Sequence, residues 1–180
     1  MKKNIFLDLD NVLIVPNFME VASERLGTDI SEEDITVYDF ANFPENIRKV
    51  IFECFNDPEI MCKNYKIIEG VKEWVAEQAK NHNVYIITAR NESVKDATLA
   101  LIHEHFPDVL SVFFENRKSE TMNLYDNVLF IDDSPGNILN ALDSGIESVL
   151  VANKYTKYNH HLKQNNTIKH VKTITEIKEI

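Results

Sequence analysis

What this chain has too little of narrows its reading first. No apolar run approaches the roughly 20 residues that span a bilayer, so no membrane partner is expected. Cysteine is scarce. Cys54 and Cys62 make no CxxC pair and no disulfide framework, and two reduced thiols in a cytosol is the simple expectation. Positive charge is short as well, with 19 Lys and Arg against 29 Asp and Glu and a net charge of −10. Nucleic-acid binders usually carry a basic face, so a polynucleotide is not expected as a partner. Two lysines open the sequence, but Asp8 and Asp10 follow too soon for the apolar region of a signal peptide, which points to a cytoplasmic location. His103, His105, His160 and His161 have no cysteine or carboxylate at zinc-like spacing. The glycosylation pattern at Asn165 lacks a secretory context. Internal repeats and low-complexity segments are also missing.

What is present suits one globular domain with a small insertion: 180 residues, 44% apolar. The stretch Asn4 to Ile14, NIFLDLDNVLI, starts as a buried parallel strand and then carries two carboxylates two residues apart. An unpaired ion in a core costs several kcal/mol. Asp8 and Asp10 therefore belong where the strand emerges, at the carboxyl end, where open α/β sheets bind ligands. An Asp-x-Asp pair also occurs as a solvated turn, so the pair alone does not decide the matter.

From Val15 to Ile68 no strong strand pattern appears. Asn17 to Leu26 has helical spacing and Gly27 as a stop, Ser31-Glu32-Glu33-Asp34 reads as a helix start, Asp39 to Phe43 as a loop, and Pro44 opens a helix through Phe55. This block reads as a small helical cap. Its aromatics Phe18, Tyr38, Phe40, Phe43, Phe55 and Tyr65 exceed what one small core demands, and one or two should face a ligand; Phe18 and Phe43 are the candidates. From Glu69 helices and strands alternate: helix 69–80, strand 84–87, helix 92–105, strands 109–114 and 127–131, helix 135–142, strand 148–151. That alternation indicates a doubly wound parallel sheet with right-handed crossovers. Residues 153–167 read as a polar loop and 171–180 as a closing helix. The domain reading is a core of 1–14 and 69–180 with a cap of 15–68.

Three of these strands end in residues a core would not choose. The first ends in Asp8 and Asp10, another in Thr88, and a later one in Asp132 and Asp133. Four carboxylates on one sheet edge repel one another unless a cation sits among them. All-oxygen ligands favour a hard ion, and a substrate phosphate beside them favours magnesium. Thr88 offers a hydroxyl to a phosphate oxygen, with Ala89 beside it. The missing positive side chain falls to Lys118, although its neighbour Arg117 is a competing candidate.

The order FLDLDNVL, IITAR, Lys118-Ser119 and FIDDSP resembles the four motifs of the haloacid dehalogenase (HAD) superfamily of phosphohydrolases. Within it the chain is similar to the 5'(3')-deoxyribonucleotidases. That closer likeness rests on the short insertion after the first motif, on YKIIEGVKEW leading into VYIITAR, on IDDSPGNI and on the closing VKTITEIKEI. The resemblance implies a HAD-like, Rossmannoid fold. It implies Asp8 as nucleophile and Asp10 as acid and base. Magnesium would be held by Asp8, the backbone carbonyl of Asp10 and Asp132, with Asp133 nearby, and the phosphoryl group by Thr88 and Lys118. Many relatives carry Gly where this chain has Asn11, a residue that tolerates left-handed backbone.

The expected function is a magnesium-dependent phosphatase acting on deoxynucleoside monophosphates. The alternatives are another small phosphate ester, a polynucleotide 3' phosphate, or a non-catalytic phosphate-binding module. Oligomeric state stays open, a homodimer included.

Overall fold

The protein is described by a computed structural model covering residues 1–31, 34–38, 40–63, 65–164 and 167–180. The expected features at Glu32, Glu33, Asp39 and Asn165 lie outside the described residues. In chain order the first elements are β1 (Asn4–Leu7), β2 (Ile14–Pro16), α1 (Phe18–Leu26), α2 (Glu45–Phe55), α3 (Pro58–Lys63) and β3 (Tyr65–Ile67). Next come α4 (Val71–Ala79), β4 (Asn83–Thr88), α5 (Lys95–His105), β5 (Ser111–Phe114) and α6 (Lys118–Met122). The chain ends with β6 (Val128–Asp132), α7 (Pro135–Asp143), β7 (Glu147–Val151) and β8 (Lys169–Val171).

Six strands form one sheet in the order β5-β4-β1-β6-β7-β8, with every pairing parallel. The chain winds outward from β1 in both directions, which opens a crevice at the carboxyl end of that strand. This is the doubly wound α/β sheet the alternating pattern implies. Side chains along β1 alternate between two cores. Ile5 and Leu7 pack with Trp74, Val75, Leu101 and Ile102 on the α4–α5 face. Phe6 packs with Tyr85, Phe130, Ile138 and Ala141 on the α6–α7 face. Both faces are covered, which explains why β1 and β6 read as unbroken apolar runs.

Local signals account for several boundaries. Gly27 ends α1 in a left-handed conformation, φ 60°, with its N–H on the Glu24 carbonyl. Ser134 caps α7 by accepting from the Asn137 N–H, and Pro135 follows at the first helical position.

Three expectations fail. The 15–68 block is bracketed by short strands, because β2 and β3 pair antiparallel, Ile14 opposite Ile67 and Pro16 opposite Tyr65. Three residues are too few to show a period, and the pairing itself makes them strands. The C-terminal segment is no helix either. Residues 169–171 add strand β8 beside β7, and a 3-10 turn covers Ile174–Glu176. The β-branched run Val171, Thr173, Ile174, Thr175 disfavours a helix. Ile174 and Ile177 are buried instead, and the Ile177 carbonyl accepts from the Trp74 indole at 3.0 Å. The 153–167 stretch also carries a 3-10 helix, Lys157–Gln164. Helices α1 to α3 share a third apolar cluster around Phe18, Met19, Ile51 and Met61. Among the described residues no helix is long and apolar enough to cross a membrane.

Candidate active site

Leaving β1, the Asp8 N–H still bonds the Ile131 carbonyl at 2.9 Å, so Asp8 sits at the first position beyond the strand. The chain then turns tightly. Asn11 adopts φ 60°, its N–H bonds the Ile14 carbonyl at 2.7 Å, and β2 begins. Asn is among the few L-residues that accept this geometry. Strand β6 delivers Asp132 next door, followed by Asp133. One carboxylate oxygen from each of Asp8, Asp132 and Asp133 lies within 4.8 Å of the other two, and all three residues are buried.

Lys118, at the first position of α6, is 4% exposed and donates to Asp8 Oδ1 and Asp132 Oδ2, both at 2.7 Å. Its neighbour Arg117 points to solvent and pairs with Glu120. The structure therefore brings Lys118, and not Arg117, to the acid cluster. Asp132 also accepts from the Ser134 N–H at 2.6 Å and the Asn137 amide at 3.1 Å. Asp133 accepts from the Asn11 amide at 3.1 Å and from the Tyr158 hydroxyl.

Electrostatics follow from this burial. Desolvation pushes the Asp8 carboxyl well above the usual range, against the pull of Lys118. Burial, then Asp132, raises Asp133 to about 7, although Tyr158 and Asn11 oppose the rise. Burial pulls the Lys118 ammonium down, but Asp132 and Asp8 outweigh it and leave it raised. Three carboxylates against one ammonium leave two surplus negative charges when all are ionised. The donors are all oxygen. A hard divalent cation fits that set.

The Asp10 carboxylate is not in this group. It lines the same cavity but is gripped by Arg90, whose Nη2 lies 2.6 Å from Asp10 Oδ1. The expected convergence of four carboxylates is thus three plus a separate Asp10–Arg90 pair. Thr88 ends β4, 1% exposed, and lines the cavity with Ala89.

The cavity is about 250 Å³. Asp8, Asp10, Thr88, Lys118 and Asp133 lie at its polar end. Its remaining wall is mostly aromatic. Phe18 lines it, edge-on to Phe40 (centroids 5.9 Å apart) and to Phe55 (5.7 Å). Phe43 does not line it; this ring packs into the α1–α3 cluster, and Phe40 takes the wall position. Tyr65 likewise faces away, its hydroxyl on His105 at 2.6 Å. Sequence reasoning passed over Phe52, Tyr155 and Tyr158, which also line the cavity. Tyr155 and Tyr158 stand in a segment polar enough to read as a loop, and nothing in its pattern marks them.

Comparison with known proteins places this geometry. A nucleotidase of Clostridium acetobutylicum is 24% identical over 162 residues, which cover 86% of this chain and 82% of that one. A haloacid dehalogenase-like hydrolase of Streptococcus pneumoniae superposes with a TM-score of 0.68 at 13% identity, covering 98% of this chain and 97% of the other. A Bacillus subtilis HAD-hydrolase structure bound to magnesium gives 0.61 at 11% identity, with coverage of 98% and 96%. Residues 2–178 match the model of the "5' nucleotidase, deoxy (Pyrimidine), cytosolic type C protein" family. The chain shares the fold of HAD hydrolases, belongs to that nucleotidase family, and is a phosphoric monoester hydrolase.

Proposed function

We propose that the protein is a magnesium-dependent phosphatase that hydrolyses deoxynucleoside monophosphates through an aspartyl-phosphate on Asp8. One observation carries this reading: a buried carboxylate, Asp8, held by a lysine at the polar end of a cavity whose remaining wall is mostly aromatic. A phosphate fits the first half of that cavity and a nucleobase the second.

In the first step an Asp8 carboxylate oxygen attacks phosphorus, and the bond to the leaving oxygen breaks as the new one forms. Asp10 gives that oxygen its proton. In the second step Asp10 takes a proton from the water that cleaves the acyl phosphate. Lys118 and the Thr88 hydroxyl hold the phosphoryl oxygens, with Ala89 alongside, while charge spreads onto them. Asp8, Asp132, Asp133 and the Asp10 backbone carbonyl would hold magnesium, which supplies positive charge against the phosphoryl oxygens when bound. The buried excess of carboxylate supports that assignment, as does the magnesium reported for a structural neighbour.

Residues 15–68 act as a cap on a core of 1–14 and 69–180. The cap carries eleven Asp and Glu against five Lys and Arg, a balance of −6. That field opposes a polyanion but admits a monophosphate. Stacking a base on a ring is typically worth about 1–3 kcal/mol. The family description names pyrimidines, which puts dUMP and dTMP first. A cytosolic location agrees with the same description.

The test is a set of specificity constants, with magnesium and with chelator, for dUMP, dTMP, a 3'-deoxynucleotide, a sugar phosphate and a 3'-phosphorylated oligonucleotide. Deoxynucleotides should lead the sugar phosphate by at least about tenfold, roughly 1.4 kcal/mol in the transition state. A ranking headed by the oligonucleotide or the sugar phosphate removes the nucleotidase reading. Full turnover in chelator removes the metal.

A further inference from the structure

Arg90 follows Thr88 and Ala89 on the strand end that faces the phosphate, so position alone would make it a phosphate clamp. Its hydrogen bonds argue otherwise. The guanidinium is 2% exposed at the residue level and has five N–H groups. Nε donates to Asp10 Oδ2 at 2.9 Å, and Nη2 to Asp10 Oδ1 at 2.6 Å and to the Met61 carbonyl at 3.5 Å. Nη1 donates to Thr98 Oγ1 at 3.0 Å and to Cys62 Sγ at 3.3 Å. Five donors meet five acceptors, and none is left for a phosphate oxygen. Two of the five form the parallel fork that fixes a carboxylate in both position and plane. The other three tie the guanidinium to α5 and to α3 of the insertion.

We propose that Arg90 is a positioning residue, which aims the Asp10 carboxylate at the leaving oxygen and references that aim to α3, and that it is not a phosphate ligand. This rests on the phosphatase reading above and adds a role to it. Thr98, itself fully buried, belongs to the same support.

The consequence is a dependence on the leaving group. A p-nitrophenolate departs without a proton, whereas an alkoxide needs one, and Asp10 supplies it. Misaiming Asp10 should therefore penalise alkyl esters and spare activated aryl esters. A lost phosphate ligand, or a merely loosened fold, would penalise both alike. The experiment measures kcat/KM for p-nitrophenyl phosphate, phenyl phosphate and a deoxynucleoside monophosphate, together with the inhibition constant of inorganic phosphate. It compares the wild type with Arg90→Lys and Arg90→Met. Lys keeps the charge and loses the fork, so it carries the test should the Met variant fail to fold.

Losses on the order of 10- to 100-fold are expected for the alkyl ester. The p-nitrophenyl ester should stay within about threefold and the phosphate constant within about twofold on the same orientational argument. Equal losses along the series, an unchanged alkyl ester, or a phosphate constant that weakens in step with kcat/KM would overturn the proposal. A flat series sinks this role alone. A wild type inert toward every ester sinks the phosphatase reading and this role with it.

Discussion

The two ends of the cavity are built on opposite principles. At the core end each carboxylate has partners: Asp8 has Lys118, Asp132 has Lys118, Ser134 and Asn137, Asp133 has Asn11 and Tyr158, and Asp10 has Arg90. Charge and direction are set there before any ligand arrives. At the insertion end, rings meet edge to face: Phe18 with Phe40 and Phe55, and Phe40 with Phe52. Shape and dispersion act there, with little direction. The first end should govern chemistry and the second should govern which molecule stays.

The sharpest way to break that contrast is at Asp8, the proposed nucleophile. Asp8→Asn keeps the shape of the side chain, and turnover should fall by at least about 10⁴-fold with the fold intact, because groups acting as one unit fail together. Steady-state assays and circular dichroism check it. Next comes Lys118→Met, with an expected loss of about 10²- to 10³-fold in kcat. In chelator the same variant should lose about 3–5 kcal/mol of stability, since two buried carboxylates lose their counter-charge. Denaturant unfolding measures this. Arg117→Ala, one residue away and exposed, should stay within about twofold on the scale of surface changes.

The aromatic end should answer differently. Phe40→Ala should raise KM for a deoxynucleotide about tenfold, the size of one stacked base. Inhibition by inorganic phosphate should hardly change. A fall in kcat with KM constant would erase the division between the two ends.

A smaller effect separates them by pH. The Asp133 carboxyl, raised to about 7 without metal, binds more protons folded than unfolded between its ordinary range near 4 and that value. Stability of the chelated protein should therefore fall as pH rises across this window. Magnesium competes with those protons, so its thermal stabilisation should grow from pH 5 to pH 7.5. Scanning calorimetry with and without magnesium checks both slopes. A magnesium shift that is largest at pH 5 would contradict them.

The core end was largely legible in the sequence because its chemistry demands particular residue types at strand ends. That logic singles out Asp8, Thr88 and Asp132, and position after β5 singles out Lys118. The insertion was less legible. Phe40 and Phe43 stand three residues apart in an irregular stretch, so no period tells which ring faces inward. Phe40 turns at φ 60°, an unusual geometry for a ring-bearing residue. Arg90 was visible as a residue but not as a partner of Asp10, because such a fork exists only once β1 and β4 lie side by side. Strands β2 and β3 are equally products of assembly, each too short to declare itself.

Lys118 has a meaning for the order in which the protein is made. Clusters of carboxylate without an internal cation must wait for metal before they can be buried, and their folding then depends on metal supply. Here the ammonium already neutralises part of the cluster, bridging Asp8 and Asp132. Burial of the sheet edge can thus precede metal loading. On the magnesium dependence proposed above, the chain matures in a metal-poor compartment and becomes active on loading, so a drop in free magnesium would silence turnover without emptying the pool of folded protein.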